Sequence, residues 1–178
     1  MAKIDPYSQE GLQRMTTLIE EIQNQSDRGA AIVAVAWVEE TVTAALESFL
    51  HTDSTSWKRL FTGSSPLANF SSKIDLCRLL GLVTDGIRAD LHAIRDIRNE
   101  FAHQVAHKTH HTKLAFTSQH IKDRCLALKC VAHENHTDPR QAFMRACAVL
   151  YADFEMLTFF GTKVSDGGKI FARAENEG

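Results

Sequence analysis

Residues 90–107 read DLHAIRDIRNEFAHQVAH. Leu91, Ile94, Ile97 and Phe101 recur at three- and four-residue intervals, the repeat of a helix that buries one face. Measured from Ile94 at about 100° per residue, Leu91 lies near 60°, Phe101 near −20° and Arg98 near 40°. Arg98 therefore points into the apolar face, where a guanidinium needs a partner. Asn99 and His103 are four apart and share the opposite face with His92 and Arg95.

A second helix supplies a counterpart. The apolar pattern runs from Ala30 to Leu50, with Asp27 able to cap its start. Relative to Val35, the residues Ala31, Ile32, Val42, Leu46 and Phe49 fall within about 60° of one line, and Glu39 falls on the same face at about 40°. Arg28 shares that face one turn from the start. A charge buried alone is costly, so Arg98 is expected to meet Glu39, with Arg28 as a competing partner. The plainer alternatives are that Glu39 snorkels to water or lies at a subunit boundary.

The same periodicity extends along the chain. Leu12, Met15, Leu18, Ile19 and Ile22 make one stripe over residues 8–25. Residues 54–61 suggest a short helix, and Ser72 with Asp75 resembles a capping box before KIDLCRLLGLV, which ends near Gly81. Asp85 and Gly86 mark the turn into a helix at about 87–103. Residues 104–117 carry no helical stripe, and TKLAFT reads as a short extended piece. A helix at about 118–131 and the loop HENHTD follow. Asp138, Pro139 and Gln141 then open a last helix to about Phe160, with Phe143, Cys147, Leu150, Phe154 and Leu157 on its buried face. The three prolines, Pro6, Pro66 and Pro139, all stand at helix starts or in loops. The expected fold is all-α, a bundle of about six to seven helices in one domain over residues 1–165. A flexible tail, 166–178, follows.

Composition narrows the function classes. The chain has 178 residues, 44% apolar and 24% charged, which suits a globular domain with a sizeable core. A net charge of −2 supplies no overall attraction to nucleic acid or an acidic membrane. Cys77, Cys125, Cys130 and Cys147 sit within apolar patterns and read as reduced thiols. The N-terminus has no apolar signal core. The most apolar stretch, Ala30–Val38, is too short to span a bilayer before Glu39 and Glu40 interrupt it. A cytoplasmic protein is expected, without membrane contact.

Three chemistries are open to these residues. Arg98, Asn99 and His103 could cleave RNA, arginine neutralising phosphate and histidine moving a proton. On a regular helix, however, five residues turn about 140°, so Arg98 and His103 diverge unless the helix distorts or two protomers meet. The bland alternative makes Arg98 a structural ion and His103 a helix C-terminal residue favoured by the dipole. The clusters His103, His107, His110, His111 and Cys125, Cys130, His133, His136 lack zinc spacing, so neither metal nor cofactor is expected. LCRLLGLVTDGIRADLHAIR resembles a helix-turn-helix, but its second helix carries as many acids as bases and turns one arginine inward.

Three blocks in order, SDRGAAIVAVAWVEE, SSPLANFSSKIDLCRLLGLV and DLHAIRDIRNEFAH, resemble the MltR family, the mannitol operon repressor-like proteins. That resemblance covers about Ser26 to His103, more weakly the last helix. It implies an all-helical fold and regulation of a sugar-alcohol operon by a protein without a typical helix-turn-helix. Residues 98–103, RNEFAH, also resemble the Arg-polar-x3-His motif of HEPN domains, helical and often dimeric proteins that include metal-independent ribonucleases and toxin or defence components. By that resemblance Arg98 and His103 would be active-site residues, with Asn99 the polar residue between them. The reading favours a non-enzymatic repressor, a homodimer acting through a protein or nucleic-acid partner, with the HEPN ribonuclease as alternative.

Overall fold

Small and β-branched residues let one helix occupy the middle of this protein. The computed structural model describes residues 5–50, 53–103 and 114–161. They form α1 (Gln9–Gln23), α2 (Asp27–Phe49), α3 (Ser54–Phe61), α4 (Phe70–Leu79), α5 (Asp85–His103), α6 (Gln119–Leu126), a 3-10 helix (Lys129–Glu134) and α7 (Pro139–Phe160). There is no strand among the described residues. The expected tail, 166–178, lies outside them.

α2 buries Ala30, Ala31, Ala34, Val35, Val38, Thr41, Val42, Ala45 and Leu46. Alanines let α7 lie close along it, while α5, α4 and α1 pack on its other sides. The buried set is therefore broader than one stripe, and Ile32 and Phe49 are only half-buried. By length and composition α2 could cross a membrane, contrary to the shorter estimate above. Half of its most apolar stretch is instead buried inside the protein.

α5 turns Leu91, Ile94, Ile97 and Phe101 fully inward, as the ladder requires. α7 contributes Phe143, Cys147, Leu150 and Phe154, while Leu157 is half-buried. Phe116 stands between Phe101 and Phe143, with ring centroids 5.0 and 5.1 Å away. Burying a ring of this kind is worth about 1.5–3 kcal/mol. Phe116 lies in a turn, so the extended piece expected over TKLAFT is absent from its described part, residues 114–117. α1 is peripheral: only Ile22 is buried and Leu12 is 56% exposed.

Several caps differ from expectation. Ser26, one residue before Asp27, caps α2 by accepting the Gly29 N–H at 3.2 Å. Asp27 instead accepts the Phe116 N–H at 3.0 Å and pairs with Arg140. Arg140 Nη2 also donates to the Gln25 carbonyl at 2.6 Å and to those of Ile22 and Gln23 at 3.4 Å. α4 is capped by Asn69, not by a Ser72–Asp75 box. It ends in a Schellman turn on Gly81 (φ +72°), with Leu82 N–H to Cys77 carbonyl at 2.9 Å. Thr84 Oγ1 accepts the Ile87 N–H, which puts Asp85 and Gly86 inside the first turn of α5. Residues 118–131 hold two elements: α6 stops at Leu126 and the 3-10 helix follows. Asp138 with Pro139 opens α7 as expected.

Candidate functional site

Glu39, Lys73 and Arg98 meet where α2, α4 and α5 converge. Lys73 Nζ lies 3.1 Å from Glu39 Oε1, and Arg98 Nη2 lies 3.7 Å from Oε2. Lysine is thus the nearer partner, and it was missing from the sequence reading. It occupies the buried stripe Phe70, Lys73, Ile74, Cys77 of α4. Arg98 is 29% exposed at its side chain, so it sits at the edge of the core and not within it. Its Nε is nonetheless closed to water and has no hydrogen-bond partner. Arg28 does not reach Glu39. Its guanidinium donates to the Ala102 carbonyl at 3.4 Å, at the C-terminal end of α5.

α5 stays helical to His103. Asn99 is half-buried and His103 is exposed. Among the described residues no hydrogen bond or ion pair joins Arg98, Asn99 or His103 to one another. The divergence of about 140° between Arg98 and His103 on a regular helix is therefore kept within one chain.

The outer face of α5 carries a ladder of charges. Asp75 on α4 accepts from Arg88 at 2.8 Å and lies 3.3 Å from His92 Nε2. His92 Nδ1 is 3.3 Å from Arg95, which bonds Asp96. Arg124 on α6 reaches Asp96 at 3.7 Å and pairs with Glu100, which also meets His120 at 2.9 Å. The Arg88 hydrogen bond holds the Asp75 carboxyl below its usual range against the opposing effect of desolvation, with His92 assisting. With one face in the core and another laced to α4 and α6, α5 is not free to enter a DNA groove as a recognition helix.

Asp90 is a further site the sequence reading passed over. It is 3% exposed and accepts the N–H groups of Lys129 and Cys130 at 3.0 and 2.7 Å, capping the 3-10 helix. Its signal was its place four and seven residues before Ile94 and Ile97, on the buried stripe.

The second histidine–cysteine group is dispersed. Cys125 is buried and Cys130 half-buried, and burial pushes both thiols up to about 12. His136 Nε2 lies 2.8 Å from Glu134 instead. Of the first cluster, His103 is exposed, while His107, His110 and His111 lie outside the described residues. Among the described residues no group of three or more His, Cys, Asp or Glu is placed to hold a metal.

No family model matches the chain, and no curated protein does. Among solved structures, a chain in the X-ray structure of the MtlR–HPr complex from Escherichia coli aligns with a TM-score of 0.63. The alignment covers 79% of this chain and 98% of that one, at 19% identity. The fold is MtlR-like. MtlR is a mannitol operon regulator, and the shared architecture is a helical bundle.

Proposed function

We propose that this chain is a cytoplasmic regulator of the mannitol-operon-repressor type that acts by holding a protein partner. The observation that carries this reading is the MtlR-like fold, seen in a structure where that protein is in complex with HPr. A net charge of −2 and a committed α5 support it, since both disfavour direct operator binding. We further propose that the chain forms a homodimer. The test is a calorimetric titration of the purified chain with HPr, beside a mobility-shift assay on a sugar-alcohol operon promoter at low salt. Saturable binding to HPr with unchanged DNA mobility is expected. No HPr binding together with a DNA shift of steep salt dependence overturns the reading.

A second reading, a HEPN-type ribonuclease, has one observation in its favour. Arg98 is partly open to water and His103 is exposed, which leaves both available to an RNA held between two protomers. RNA cleavage by wild type, lost in His103→Ala with an unchanged thermal melt, would support it. Absence of cleavage by clean wild-type protein removes it.

A further inference from the structure

α1 does not close tightly on the bundle, and a cleft of about 570 Å³ runs between it, α2 and α7. Trp37 from α2 and Tyr151 from α7 line it with aromatic surface. Glu40, Glu155 and Glu10 line it with carboxylates, against the single guanidinium of Arg14. The spacing explains the convergence: Trp37 and Glu40 are three apart on α2, and Tyr151 and Glu155 four apart on α7. Among the described residues, no hydrogen bond or ion pair engages the Tyr151 hydroxyl, Glu40, Glu155 or Arg14. Elsewhere in this protein half-buried acids have partners, as Glu39 and Glu134 do. Burial pushes the Glu155 carboxyl up, Arg14 acts against this, and the neighbouring Glu40 adds to it.

We propose that this cleft binds a small organic cation, an alkylated ammonium seated against Trp37 and Tyr151 with its charge toward Glu40 and Glu155. An aromatic face attracts such a cation through its quadrupole, and the alkyl groups give apolar contact that a hydrated metal ion lacks. Carboxylates in excess of guanidinium repel an anionic ligand from the same space. The site is separate from the Glu39–Lys73–Arg98 junction and does not depend on the regulatory reading.

The experiment uses the intrinsic fluorescence of Trp37. The chain has two tryptophans. The other, Trp57, stacks on Phe61 at 3.8 Å and is not part of the cleft. In a Trp57→Phe background, choline chloride is titrated against Trp37 emission. Sodium chloride at equal ionic strength and the uncharged choline analogue with carbon in place of nitrogen serve as controls. A saturable change with a dissociation constant of about 1 mM or tighter is expected for choline. Glu155→Gln and Glu40→Gln are each expected to weaken it about tenfold. Failure to saturate, an equal response to the uncharged analogue, or unchanged affinity in both variants overturns the proposal. Glu40 is exposed, so Glu40→Gln gives a second reading of the effect with the core untouched.

Discussion

Lys73 Nζ sits 3.1 Å from Glu39 Oε1, tying α4 to α2 through a lysine side chain only 9% exposed. Arg98 shares the same carboxylate from α5 at 3.7 Å. Two cations on one acid make the acid the least replaceable of the three. Lys73→Met leaves Glu39 with Arg98 and is expected to cost about 1 kcal/mol or less. Glu39→Ala leaves two facing cations and is expected to cost about 2–3 kcal/mol, below the range for a fully buried pair because water screens part of it. Urea denaturation ranks them, and a larger loss for Lys73→Met contradicts the arrangement.

Asp90→Ala strips the acceptor from two N–H groups at the start of the 3-10 helix. A loss of about 2 kcal/mol is expected. Amide exchange should accelerate at Lys129 and Cys130 while α2 stays protected. Uniform acceleration across the bundle would mean that Asp90 acts on the whole core and not as a cap.

Acid should loosen this fold through its paired carboxylates. Arg88 lowers the pKa of Asp75, Arg78 that of Asp85, and Arg145 that of Glu134, from ordinary values of 3.8, 3.8 and 4.5. A depressed folded pKa gives stability that is full above the unfolded value and lost as pH falls through the folded one. The thermal midpoint should therefore hold from neutral to about pH 5 and drop below it, more shallowly in Asp75→Asn. Glu155 has the opposite sign. Its carboxyl is raised, so its charge burdens the folded state at neutral pH. Glu155→Gln should raise the neutral-pH midpoint.

The cysteines should be silent toward thiol reagents in the native state. Burial raises Cys77, Cys125 and Cys130 to about 12, and Cys147 well above its ordinary value. A disulfide-exchange dye at neutral pH should label none within minutes and all four in denaturant. Fast native labelling of Cys130, which is half-buried, would show that the 3-10 helix opens readily.

The helices were legible where periodicity and a cap coincided, as at Asp138–Pro139 for α7. The angle count that marked Arg98 applies equally to Lys73 and Asp90, each of which lies on an apolar stripe. Their partners were not legible, because a carboxylate's target 34 or 40 residues away depends on how the helices cross. Asp27 shows the same limit from the other side. It stands at a helix start, yet Ser26 caps the helix and Asp27 serves Phe116 and Arg140. Arg28 was placed on the face of Glu39, but the nearby end of α5 offers it a carbonyl.

Arg140 gathers the last carbonyls of α1 from 118 residues further along the chain. On a ribosome α1 emerges long before that guanidinium exists, with one buried side chain of its own to dock by. Contacts of such separation close late, because the intervening loop must first be ordered. α1 is thus fastened only once α7 has been made, and α7 acts as the latch for a helix synthesised well before it.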